Sequence, residues 1–220
     1  MSEVQIVSKH RVATHGEVLT DSREVNAMLD LVEQETERIE SRFLEPACGN
    51  GNFLAEILAR KLAVVEKRYK KSQLEYERYS VLAVCSIYGI DFLEDNVEHC
   101  RERLHSIYRT AYERLFGERV KRSCLASARF VLTRNIIWGD ALTLKTVGEK
   151  PGYIVFTEWS PVNGSLLKRR EFSFHELLAQ ESNKDLPLFS DRGDEVFIPT
   201  AENEYPPVHF LELANGRRDD

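Results

Sequence analysis

The stretch Phe43-Leu44-Glu45-Pro46-Ala47-Cys48-Gly49-Asn50-Gly51-Asn52-Phe53-Leu54 constrains this chain more than any other. A short apolar run ends in an acid and a proline, two glycines follow one residue apart, and an amphipathic helix begins. Gly49 and Gly51 carry no Cβ, so the backbone can turn sharply there and come within contact distance of a ligand. An acid ahead of the glycines, in place of a dinucleotide fingerprint's third glycine, suits a cofactor with a cationic ammonium better than one with a pyrophosphate. The loop therefore reads as one for S-adenosylmethionine.

Periodicity supplies the frame around the loop. Asp21 or Ser22 can cap a helix over Glu24–Glu40 with Val25, Met28, Leu29 and Val32 on one face. Ser41–Glu45 reads as a short buried strand, and Phe53 to about Lys71 as a helix burying Leu54, Ile57, Leu58, Leu62 and Val65. A helix over Gln73–Val84 leads into a strand at Ile87–Ile90. Leu93–Phe116 is a charged amphipathic helix whose stripe is Val97, Cys100, Leu104, Ile107, Ala111 and Leu115. A shorter helix over Ser123–Val131 precedes a third strand, and Tyr153–Thr157 reads as a fourth. That order implies a parallel sheet with right-handed crossovers and a ligand at the carboxyl ends of its strands, where Glu45, Asp91 and Asp140 fall.

Four segments carry a family resemblance. His10 to Thr20, with Thr14 inside it, is similar to the segment that folds over the methionine end of the cofactor. Glu45 to Asn52 resembles the glycine loop, with Pro46 and Phe53 beside it. Ile87-Tyr88-Gly89-Ile90-Asp91 resembles the second strand, and Asn135-Ile136-Ile137-Trp138-Gly139-Asp140-Ala141-Leu142 the third. Together, from Lys9 to about Pro161, they resemble the N6-adenine DNA methyltransferases of restriction-modification systems, of the methylation-subunit type. The resemblance implies a Rossmann-like methyltransferase fold, a parallel sheet with helices on both faces, incomplete at its C-terminal side. It also implies roles. Glu45 would attract the ammonium, Asp91 would accept from the ribose hydroxyls, and Asp140 would accept from the adenine amine while Phe92 and Leu142 sandwich the ring. Taken singly, Asp91 also reads as a helix N-cap and Asp140 as a turn residue.

The family closes its next strand with Asn, Asp or Ser, then Pro-Pro and an aromatic. Here Glu158-Trp159-Ser160-Pro161-Val162 follows the fourth strand. Ser160 and Pro161 stand for the first two positions, Val162 replaces the second proline, and Asn163 sits where the aromatic belongs. Adenine N6 has a delocalised lone pair, so acceptors must hold its hydrogens and draw the nitrogen toward sp³. The resemblance gives that task to Ser160 and to the carbonyl or ring of Trp159. Trp159 as core packing beside an inert loop is the other reading.

Composition narrows the rest. Among 220 residues, a net charge of −6 argues against strong non-specific DNA binding by this chain alone. Lys67-Arg68-Tyr69-Lys70-Lys71 reads as a solvated helix face, and Lys168-Arg169-Arg170 as either surface or a phosphate contact. Cys48, Cys85, Cys100 and Cys124 lack zinc or disulfide spacing, and Cys48 reads as a small residue chosen for fit. No apolar run is long enough to span a bilayer and no signal-peptide pattern opens the chain, which points to the cytoplasm. The expected layout is a cofactor domain over 1–165, with a helical segment at 1–40, and an irregular tail over 166–220. The expected function is an S-adenosylmethionine-dependent DNA adenine methyltransferase or methylation subunit, acting on DNA with other restriction-modification or defence subunits. An inactive cofactor-binding relative, or transfer to RNA, protein or a metabolite, are the alternatives.

Overall fold

The structure, a computed structural model, describes residues 20–181 and 200–215. Its strands and helices form a mixed α/β architecture with two sheets. Helix α1 (Ser22–Asp30) starts where the Asp21 carboxylate accepts from the Arg23 N–H at 2.8 Å, an N-cap read correctly from sequence. The helix stops ten residues early, however, and a separate turn, α2 (Glu33–Thr36), follows. Val25 and Leu29 are buried, while Met28 and Val32 stay exposed.

Strand β1 (Phe43–Glu45) opens the first sheet and α3 (Asn52–Tyr69) follows the glycine loop. Next come α4 (Gln73–Cys85), capped by Ser72, and β2 (Ile87–Asp91). After β2, α5 (Glu94–Phe116) and α6 (Arg122–Asn135) lead into β3 (Ile136–Asp140). β1, β2 and β3 are parallel neighbours, with Glu45 level with Gly89 and Asp91 level with Trp138. β4 (Lys145–Thr146) adds antiparallel to β3, so the sheet is only partly parallel. β1 is its edge strand among the described residues, and its Leu44 side chain is exposed instead of buried.

The helices bury apolar stripes against one another and the sheet. The most buried line of α5 continues from Leu104 through Tyr108, Tyr112 and Phe116, a spacing of four, while the expected Ile107, Ala111 and Leu115 are partly buried and pack against the same core. Large rings fill the gap between α4 and α5: Tyr76 lies 5.9 Å from Tyr112 and 5.1 Å from Phe116, centroid to centroid. Buried Glu77 accepts from Tyr112 and pairs with Lys121 at 2.7 Å, so its charge is compensated. Fully buried Lys61 donates to the carbonyls of Arg38, Ile39 and Ser41 and to the Ser86 hydroxyl, clamping the approach to β1.

The fourth strand departs from expectation. β5 (Val155–Pro161) extends through the expected catalytic loop and pairs antiparallel with β6 (Leu166–Ser173) in a second sheet. A tight turn joins them, with Gly164 at φ +55° and the Val162 N–H donating to the Leu166 carbonyl at 3.1 Å. Helix α7 (Phe174–Glu181), β7 (Asn203–Glu204) and β8 (Val208–His209) follow, and a 3₁₀ turn over Phe210–Asn215 packs on α6. The region after residue 165, expected to be irregular, is thus built into the fold wherever it is described. Leu167, Phe210 and Leu213 join the main core.

Candidate functional site

The glycine loop connects β1 to α3 at the carboxyl edge of the parallel strands. Gly49 has φ +51° and Gly51 φ +85°, both left-handed, which explains why neither position carries a side chain. A Cβ on Gly51 would also meet Cys100 Sγ at 2.6 Å, so the loop lies directly on α5. The Cys48 N–H donates to the Ile90 carbonyl at 2.9 Å, and Cys48 is buried, as a residue chosen for fit should be. Gly89 completes the packing, since a Cβ there would stand 3.0 Å from Cys48 Sγ.

Asp91 closes β2 and fixes the loop. Its Oδ2 accepts from the Gly49 N–H at 2.8 Å, and its Oδ1 accepts from the Leu93 N–H at 2.9 Å and from Asn96 Nδ2 at 3.2 Å. The N-cap of α5 is Leu93, so Asp91 is not the cap; it accepts the amide two residues on in an Asx turn and also faces the glycines. A carboxylate offers about four acceptor positions, and three are used. One remains for a ligand hydroxyl, half of what a bidentate ribose contact needs.

Glu45 ends β1 half-buried, and burial pushes its carboxyl above the usual range while the Ala47 N–H pulls the other way. With Phe53 it lines a cavity of about 210 Å³ beside α1. Pro46 stands between Glu45 and the glycines and is exposed. Asn52 donates to the Thr20 carbonyl at 2.8 Å and accepts from Arg103, which also reaches Asn50 at 3.4 Å. Thr14 lies outside the described residues. Helix α3 begins without a side-chain cap, so its first N–H groups face the loop without a side-chain acceptor from the N-cap.

Asp140 ends β3 on the surface. It accepts from the Leu142 N–H and the Thr143 hydroxyl, each at 2.9 Å, and these donors hold its carboxyl below the usual range. It therefore behaves as the turn residue it also resembled. Phe92 and Leu142 are exposed, and the Phe92 carbonyl accepts from Trp138 Nε1 at 3.0 Å, tying the ends of β2 and β3 together. Glu45, Asp91 and Asp140 thus share one edge in strand order, with only Asp91 bonded to the glycines.

The three residues assigned to catalysis are elsewhere. Ile154 N–H donates to the Leu144 carbonyl near the carboxyl end of β3, and a Cβ on Gly139 would meet Ile154 Cδ1 at 2.8 Å. From there β5 runs back across the sheet. The Thr157 carbonyl accepts from Tyr88 Oη at 2.9 Å, Glu158 pairs with Arg42 at 2.5 Å, and Trp159 Nε1 donates to Asn135 Oδ1 at 3.0 Å. Arg42 and Asn135 precede β1 and β3, so Trp159, Ser160 and Pro161 finish at the amino ends, opposite the glycine loop. Trp159 is buried against Phe130, with centroids 6.1 Å apart, and is core packing. Ser160 and Pro161 sit in ladder register with Lys168 and Leu167.

The basic run beyond the turn is also committed. Lys168 pairs with Glu204 at 2.8 Å, Arg169 with Glu171 at 2.5 Å and Arg170 with Glu158 at 2.5 Å. A phosphate would have to displace those carboxylates. No group of side chains among the described residues has metal-binding geometry, and no described helix is long and apolar enough to cross a membrane. Sequence reasoning overlooked Asn96, Gly89, Cys100 and Arg103 as the residues that shape the loop. Asn96 was the most legible of them, one turn into the helix that Asp91 precedes. No family model, curated protein or solved structure matches the chain.

Proposed function

We propose that this chain binds S-adenosylmethionine at the carboxyl edge of β1–β3, as the cofactor-holding part of a Rossmann-like DNA adenine methyltransferase. The observation carrying the proposal is the Asp91–Gly49 hydrogen bond. An acid at the end of the second parallel strand holds a left-handed glycine loop open between the first strand and its helix. That is where open α/β sheets bind ligands. The free acceptor position on Asp91 takes one ribose hydroxyl, and Glu45 attracts the ammonium. The uncapped first turn of α3 would take the cofactor's carboxylate, and Phe92 and Leu142 would flank the adenine, with Asp140 free to help only by giving up its bonds to Leu142 and Thr143. The cofactor would supply a methyl group on a sulfonium. Among the described residues, none assigned to the acceptor amine lies beside the glycine loop.

In this reading the acceptor-handling groups are supplied by a partner subunit in a restriction or defence system, with DNA as the substrate they present. A second reading, a cofactor-binding subunit that performs no transfer, is favoured by the burial of Trp159. Incubation with tritiated cofactor and mixed DNA, with and without candidate partner subunits, separates the two. Calorimetry on the chain alone tests what both share, and absence of heat well above micromolar cofactor removes the proposal.

A further inference from the structure

The β1 edge is the largest unfinished feature of the described fold. Phe43 N–H donates to the Ser86 carbonyl on the β2 side at 2.9 Å. Because the two edges of a strand alternate along the chain, the N–H and C=O of Leu44 point to the opposite side, where no described strand pairs. Such an edge is ordinarily covered, charged or broken. Here it is apolar: Met28 is 56% exposed, Val32 43% and Leu44 42%.

Two cavities flank the same three residues of backbone. On one side, Tyr88, Phe156, Phe172 and Phe174 line a volume of about 510 Å³ that also touches Phe43 and Leu44. On the other, Met28, Val32 and Phe53 line the cavity of about 210 Å³, which again includes Phe43 and Leu44. An added strand sends successive side chains to opposite faces, so neighbouring residues of one extended segment would enter the two cavities in turn. At the mouth of the larger one, Arg42 and Arg170 share the single carboxylate of Glu158. Two guanidinium groups on one carboxylate leave a net positive charge at the amino end of β1.

We infer that the β1 edge receives an extended strand from a partner protein, with alternating apolar side chains and a carboxylate at the Arg42 end. The backbone of Leu44 supplies the hydrogen bonds, the two cavities supply side-chain selectivity, and the arginines set the register. The inference needs no cofactor to be bound, although Glu45 and Phe53 also line the smaller cavity, so the peptides are screened without S-adenosylmethionine.

The test uses the full chain and a displayed library of short linear peptides. Peptides enriched on the chain should alternate apolar residues and carry an acid, and should slow hydrogen exchange at the Leu44 amide. Leu44→Pro removes the outward N–H together with the Leu44 side chain that lines both cavities, at an edge position that tolerates proline, and should weaken these peptides at least tenfold with the melting temperature held. If that variant unfolds, Leu44→Arg and Met28→Lys carry the same comparison with the backbone intact. The inference is overturned if enriched peptides bind Leu44→Pro as well as wild type, or if none is enriched. It is also overturned if the free chain already exchanges Leu44 as slowly as Phe43, which would mean its own residues cover the edge. Self-association abolished by Leu44→Pro would assign the edge to a second copy instead.

Discussion

Replacing Asp91 with alanine removes one carboxylate and three hydrogen bonds, to Gly49, Leu93 and Asn96. Bonds to a charged group are worth about 1.5–3 kcal/mol each, but the loop amides are only part-buried and water recovers a share of that. A net loss of about 2–4 kcal/mol follows, which for a chain of this size lowers the melting temperature by roughly 5–15 °C. Asp91→Asn keeps one acceptor oxygen and turns an NH₂ toward donors, so it should fall between. Urea denaturation followed by tryptophan fluorescence measures the first effect, and calorimetry with S-adenosylmethionine measures the second. Affinity should drop at least tenfold in Asp91→Ala, about 1.4 kcal/mol. Stability within about 0.5 kcal/mol of wild type would refute the anchoring role. Lost stability with intact affinity would refute the role in the cofactor site.

Trp159→Ala should cost about 3–5 kcal/mol, as a large core truncation does, while Ser160→Ala stays within about 0.5 kcal/mol. The reverse order in a denaturation series would return the β5 end to a functional loop. Gly51→Ala forces a left-handed alanine against Cys100 and should destabilise by about 1–3 kcal/mol, read as a melting shift. Burial pulls the Lys61 ammonium down to about 7 from its ordinary 10.5. Above about pH 7 the folded chain has released a proton that the unfolded chain still holds, so stability rises with pH toward about 10. The slope is at most about 1.4 kcal/mol per pH unit. Lys61→Met should flatten the urea midpoints measured between about pH 7 and about pH 9.

The helices and strands up to Asp140 were legible because period, caps and glycines agree there. Asp21 and Ser72 cap where they were expected to or within a residue of a predicted start, and the glycine loop announces its own backbone angles. The early end of helix α1 was not legible because nothing in Leu31-Val32 marks a stop, and their exposure depends on an edge that no single residue reveals. The β5–β6 hairpin overlaps the segment that resembles a catalytic tetrapeptide, Ser160 to Asn163. Asn163-Gly164 between two alternating runs is a strong hairpin signal, and Asn163 is also the position where the resemblance calls for an aromatic. Arg169 and Glu171 look like surface charges in sequence, yet each compensates the other inside the second sheet. Of the site, the acids could be placed on one edge, but not which of them would already be engaged by protein donors.

All four thiols are buried; the neighbouring Cys100 thiol and then burial raise that of Cys48, and burial raises those of Cys85 and Cys124, the last to about 12. An alkylating reagent can then reach them only when the protein opens. Cys48 and Cys100 are wedged against Gly89 and Gly51, whereas Cys85 and Cys124 lie among the helices. The first pair is thus a built-in clock for excursions of the glycine turn, and the second a reference for global unfolding. Comparing the two labelling rates would time the turn's motions with no ligand, label or substitution added.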